Sequence, residues 1–309
     1  MALALFIQTT IPLFSLILLG YLSRFYRVLN QGDDRVFSSY IYYIGLPALL
    51  IIDLSELKFT GDTLSYVIIN LIPLFIILPI IYFVGLILRT DREILLLLII
   101  LASFGSLGFF GLAFINFAFN NLEFERYAAL SISSINTFGF IISLILLELF
   151  GSKSKEGLFK KITFNLASNP LIISIIVGIL LSITNFNIPS PISSSLHMIA
   201  STVSPLSIFL LGVSIYGKEY NNLLEATLMS SIRLIILPFI ALLVSNYFNL
   251  PSIQKSVIVI MYGTPLALSM IILSQRYKFQ EQRISSIILI SSLLAGITMN
   301  IWLLIIYSL

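Results

Sequence analysis

Two apolar stretches carry small polar residues at their centres, where a membrane span would ordinarily carry only leucine and isoleucine. LASFGSLGFFGLAF (101–114) sets Gly105, Ser106, Leu107 and Gly108 in its middle with Gly111 behind them, and VIMYGTPLALSMI (259–271) sets Gly263, Thr264 and Pro265. A helix interrupted there exposes backbone N–H groups at the start of its second half and carbonyls at the end of its first. The former suit a carboxylate and the latter a cation. Ser106 and Thr264 each follow a glycine by one residue and can add a hydroxyl to either task, or can bond back to their own helix. Asn116, Asn136 and Ser269 are further candidate lining residues, with interhelical hydrogen bonding the competing role for the two amides. Arg233 is the one cation deep in an apolar run. It reads as a countercharge for an anion or a gating contact, against snorkelling to the cytoplasmic face.

The two interruptions are related. Gly105 and Gly263 lie 158 residues apart, and the same step links Pro12 to Pro170, Gly20 to Gly178 and Pro47 to Pro205. Paired interruptions in corresponding places of two halves are the best sequence pointer to a transporter's binding site.

The elements that must hold these residues follow from composition. With 58% apolar and 10% charged residues and a mean hydropathy of +1.06, the chain is read as an integral membrane protein, since soluble domains carry about 25% charge. Stretches of membrane length predict ten spans at 4–23, 36–54, 63–88, 93–118, 126–150, 165–184, 195–216, 223–246, 253–275 and 284–308. Alternating strands of barrel type are not seen, so the spans are read as helices. The first, without a basic leader before it, is expected to be retained.

Lysine and arginine sort by loop. Odd loops hold 13 of them (Arg24, Arg27, Arg35, Arg89, Arg92, Lys153, Lys155, Lys160, Lys161, Lys218, Arg276, Lys278 and Arg283), and even loops hold Lys58, Arg126 and Lys255. The positive-inside rule then predicts a multi-pass protein of the cell membrane with cytoplasmic odd loops and both termini outside. A five-span unit crosses the membrane an odd number of times, so its second copy is inverted. The expected organisation is a first repeat at 1–150, a basic cytoplasmic linker at 151–164 and a second repeat at 165–309. Broken spans 4 and 9 would meet near the midplane.

Several short motifs now carry a resemblance. PLF with Gly20 and Tyr21, LPA (46–48), Asn169–Pro170, SPL (204–206) with FLLG (209–212), and TPLA (264–267) occur in order along the whole chain. Together they resemble the auxin efflux carrier family, which groups with bile acid and arsenite carriers and has prokaryotic members. The resemblance implies ten helices in inverted fivefold repeats, with the fourth and ninth crossing and substrate beside the crossing. One departure stands out. Many relatives read GNTGFLGLP where this chain reads GSLGFFGLA, so Ser106 replaces Asn and Ala113 replaces Pro. An auxin-like specificity does not carry over.

The functional reading is a secondary transporter moving a small organic anion or weak acid by alternating access. Its expected partners are a small carboxylate and the lipid bilayer, and a homodimer is compatible with the sequence. No acidic residue lies near either break; potential-driven efflux, proton coupling and a sodium ion held by carbonyl and hydroxyl oxygens all stay open, and no other cofactor is expected. Asp53, Glu56, Glu148 and His197 fall near span ends, where solvation accounts for them. Basic residues confined to loops give no nucleic-acid role, and the absence of cysteine excludes thiol chemistry. An anion channel is the alternative. An embedded enzyme ranks lower, because HExxH, GxSxG and Walker motifs are missing.

Overall fold

A computed structural model describes residues 2–56, 61–151, 164, 167–217 and 222–308. Residues 152–163 of the expected linker, with its four lysines, lie outside the described residues, as do Lys58, Lys218 and the side chain of Glu148. The described residues are helical throughout, apart from turns and one isolated two-residue bridge. In an apolar solvent only the helix satisfies its own backbone, and these Leu- and Ile-rich runs obey that demand.

In chain order the helices are α1 (Ala2–Phe25), α2 (Asp33–Ser55), α3 (Gly61–Ile87), α4 (Arg92–Ser103), α5 (Leu107–Phe119), α6 (Leu122–Leu147), α7 (Pro170–Ile183), α8 (Ser190–Ile215), α9 (Leu223–Tyr247), α10 (Ser252–Tyr262), α11 (Met270–Tyr277) and α12 (Glu281–Ser308). Among the described residues six helices, α2, α3, α6, α8, α9 and α12, are long and apolar enough to cross a membrane, and shorter apolar helices accompany them. The fourth and ninth predicted spans are each two helices, α4 with α5 and α10 with α11. The fifth begins at Leu122 rather than at 126, because the Asn121 side chain accepts a 2.8 Å bond from the Glu123 N–H and starts the helix within its charged first turn.

Close packing depends on small residues. α1 lies along the second part of α8, and α7 lies along the second part of α2. A Cβ on Gly20 would stand 2.0 Å from the Phe209 carbonyl oxygen, and one on Gly178 would stand 2.8 Å from Leu54 Cβ and 3.3 Å from the Ile51 carbonyl oxygen. Phe209 follows Ile51 by 158 residues, the same step that relates the two glycines.

The helix ends sort into two sets. Glu93, at the start of α4, pairs with Gln280 before α12, and Glu225 on α9 pairs with Arg283 at 3.4 Å. These all border odd loops. Around even loops, Glu56 binds Arg126 and, at 3.2 Å, His197. Asp53 departs from the expectation of solvation: it is buried, 6% exposed, and its Oδ2 has no hydrogen-bond partner.

Among the described residues four turns of π-helix interrupt the regular pattern, at Ile41–Gly45, Leu107–Gly111, Ile132–Asn136 and Ile232–Ile236. Such turns concentrate at functional sites.

Candidate functional site at the crossing of the broken helices

The two interruptions meet. Gly105 and Leu266 form an antiparallel bridge, with the Ser106 N–H donating to the Pro265 carbonyl at 2.8 Å and the Ala267 N–H donating to the Phe104 carbonyl at 3.2 Å. Backbone groups freed from both helices thus satisfy one another, as they must away from water. α4 ends with Phe104 in an extended conformation (φ −116, ψ 91), and α5 restarts through the π turn at Leu107. In the other span Pro265 removes a donor and drives Thr264 away from helical geometry. The chain there does not return to helix until Met270.

Arg233 occupies the back of the crossing. Carried on the π turn of α9, it is fully buried. Its Nε donates to the Thr264 carbonyl at 2.7 Å, Nη1 donates to the Ala102 carbonyl at 2.9 Å and the Leu101 carbonyl at 3.4 Å, and Nη2 donates to Thr264 Oγ1 at 3.0 Å. Leu101 and Ala102 are in the last turn of α4, and Thr264 lies just past the end of α10. A guanidinium therefore caps the C-terminal ends of both first half-helices. Gly105 makes room for it, since a Cβ there would stand 1.7 Å from Nη2. Trp302 Nε1 donates at 2.8 Å to the Leu234 carbonyl in the same π turn and fixes the arginine's platform.

Gly105 also lines a cavity of about 280 Å³, sized for a small molecule. Its wall is built from α2 (Ser38, Ser39, Tyr42, Tyr43, Leu46), the break and start of α5 (104–109), α6 (Ile132, Asn136, Thr137, Phe140), the entry to α7 (Asn169, Leu171) and the approach to α11 (Ala267, Ser269). The start of α5 and the residues before Met270 line it. The wall residues of α2 and α6 lie mostly in the halves nearer the odd loops, and those of α7 at its start, beside an odd loop. Toward the even loops the core is closed by a polar network. Tyr66 meets Ser131 at 2.7 Å, Asn70 Nδ2 donates to Ser134 at 3.0 Å, Tyr262 donates to the Asn70 carbonyl at 2.6 Å, and Gln254 donates to Tyr127 at 3.0 Å.

Of the residues singled out by sequence, Gly105, Ser106, Leu107, Gly108 and Asn136 line the cavity, as does Ser269. Asn136 Oδ1 is buried without a hydrogen-bond partner. Gly263, Thr264 and Pro265 form the crossing strand, and Thr264 Oγ1 both accepts from Arg233 and donates to the Met261 carbonyl at 2.8 Å. Gly111 abuts the end of α10, where a Cβ would stand 2.7 Å from Met261 Sδ and 2.8 Å from Thr264 Cγ2. Arg233 reaches the crossing and not the cavity wall. Asn116 lies farther along α5 and donates to Glu125 at 3.3 Å.

Sequence reasoning did not place Tyr42 or Asn169 on the wall. Asn169 accepts from the Leu171 N–H at 2.9 Å and so caps α7. In the sequence the Asn-Pro pair carried only the family resemblance and gave no sign of the cavity. Three of the four π turns contribute wall residues and the fourth carries Arg233; no spacing in the sequence announces them.

Broken helices that cross through their interruptions beside a cavity, within an apolar bundle, define a membrane transporter rather than an enzyme. Residues 5–303 match a family described as membrane transport protein, and the chain belongs to that family, which is of the auxin efflux carrier type. It is similar to an uncharacterized transporter of Methanocaldococcus jannaschii, 25% identical over 93% of this chain and 94% of the relative. The uncharacterized transporter YfdV of Escherichia coli is 23% identical over 97% of this chain and 98% of its own. A Rhizobium meliloti protein named "Putative malonate transporter" is 23% identical over 94% of this chain and 92% of its own.

Proposed function

We propose that the protein is a secondary carrier that moves a small organic anion across the cell membrane by alternating access. Ten membrane segments form two inverted repeats, at 1–150 and 165–309, joined by a cytoplasmic linker at 151–164. Support for the repeat comes from the shared 158-residue step, which relates Gly20 to Gly178, each pressed against a neighbouring helix. The basic odd loops argue for a cytoplasmic odd face and external termini.

The observation that carries the reading is the division of charge at the crossing. The start of α5 (107–109) and the residues before Met270 line the cavity, where a carboxylate gains from backbone N–H groups and positive dipole ends. The C-terminal ends face the other way and are already occupied by Arg233. With odd loops in the cytoplasm, the cavity belongs to an inward-facing state, and the tyrosine and asparagine network seals the outer side. That seal favours a carrier over a pore. For a monovalent anion an inside-negative potential drives export by about 2.3 kcal/mol per 100 mV. Malonate, from the name of the Rhizobium relative, heads the list of candidate cargoes.

The test is counterflow in liposomes holding the purified protein, with malonate, succinate, pyruvate and lactate as trial substrates. Saturable exchange of at least one is expected. Flux that rises linearly with concentration and shows no counterflow would make the protein a channel, and no flux for the whole panel would sink the organic-anion reading.

A further inference from the structure

A broken-helix carrier presents carbonyls at the C-terminal ends of its half-helices, and these commonly hold a coupling sodium ion or proton. Here four oxygens surround one guanidinium: the carbonyls of Leu101, Ala102 and Thr264 and the Thr264 hydroxyl. Carbonyl and hydroxyl oxygens are also the donor set a sodium ion takes. Every one of them accepts a hydrogen bond from Arg233.

The charge count agrees. Two helix C-termini carry roughly half a negative charge each, which together balance one guanidinium. Among the described residues Arg233 forms no ion pair with a carboxylate, so the helix ends are its counterion. The planar fork of arginine can serve two carbonyl clusters at once, which an ammonium cannot do equally well. Gly105 completes the fit by leaving the guanidinium its space.

We infer that Arg233 is a tethered cation standing where a coupling ion would otherwise bind, so that the carrier runs without sodium. The coupling half of this statement rests on the carrier reading above; the site half does not. Arg233 acts as a positioning residue. It locks the two half-helix ends together and sets a fixed positive charge behind the Gly105 backbone, one layer from the cavity.

Two measurements separate the halves. Thermal unfolding midpoints are compared for the wild-type protein, Arg233→Ala and Arg233→Lys in choline, sodium and methylguanidinium chloride at equal ionic strength. The wild type is expected to melt at one temperature in all three salts. Arg233→Ala should melt several degrees lower in choline and recover selectively with methylguanidinium, while Arg233→Lys falls between the two. A wild-type midpoint raised by sodium over choline, or an Arg233→Ala protein as stable as the wild type and indifferent to cation, would overturn the site. Should Arg233→Ala not survive purification, the wild-type salt series and the lysine variant still decide. Counterflow by the wild type is then run in sodium and in choline, with equal rates expected. Transport that requires sodium overturns this inference and leaves the carrier intact, whereas no counterflow in either salt overturns the carrier and leaves the site to the melting data.

Discussion

The two broken spans meet at one bridge but are broken by different causes. Between α10 and α11 the interruption runs for seven residues, Gly263 to Ser269, and its cause is local: Pro265 cannot donate, and the residue before a proline avoids helical geometry. Between α4 and α5 it lasts three residues, Phe104 to Ser106, with no proline present. There the cause is tertiary, since the bridge to Leu266 pulls the backbone extended and the Arg233 guanidinium fills the space a side chain would need. Neither Gly105 nor Gly263 has a positive φ. Glycine at 105 is required for room, and at 263 the nearest atom to an added Cβ would be 3.4 Å away, in ordinary contact. A paired glycine in sequence is thus not a paired requirement in structure.

The largest expected effect follows from that contrast. Gly105→Ala puts a methyl group onto Nη2 and separates a buried charge from its carbonyls, a loss of about 3–5 kcal/mol. Its melting midpoint in detergent should fall well below that of every variant below. Pro265→Ala is expected to cost less, about 1–2 kcal/mol, because the bridging Pro265 carbonyl and Ala267 N–H survive while a new buried N–H arrives without a partner. A collapse as severe as that of Gly105→Ala would show that proline, and not the bridge, holds the ninth span open.

Smaller effects sharpen the comparison. Gly263→Ala should stay within about 1 kcal/mol of the wild type in melting, since its φ of −78 suits alanine. Asn136→Ala should change melting little, because it removes a buried Oδ1 that has no hydrogen-bond partner. Its effect belongs to the cavity: a rise in half-saturating substrate of about tenfold in the counterflow assay, equivalent to about 1.4 kcal/mol. If melting falls and half-saturation holds, Asn136 is a packing residue.

Much of this was legible in the residues. Composition gave the solvent, the interruptions showed themselves as glycine and proline in apolar runs, and their common step predicted that they would meet. The local break at Pro265 can be read from its own tripeptide. The break at Gly105 shows in its glycines but its reason does not, because that reason is Arg233, 128 residues away on another helix. The same limit hid the cavity wall. Tyr42, Asn136 and Asn169 come together through π turns and a helix cap, features set by tertiary packing that leave no periodicity behind. Asp53 was misjudged for a related reason: its place near a span end suggested water, but the packing of α2 covers it.

The central claim is that the crossing, held by Arg233 against Gly105, is the working part of a carrier. Counterflow of a small carboxylate in proteoliposomes, run side by side on wild type, Gly105→Ala and Gly263→Ala, tests it most directly. Saturable exchange by the wild type and Gly263→Ala, with none by Gly105→Ala, is the predicted result; equal exchange by all three proteins would contradict it.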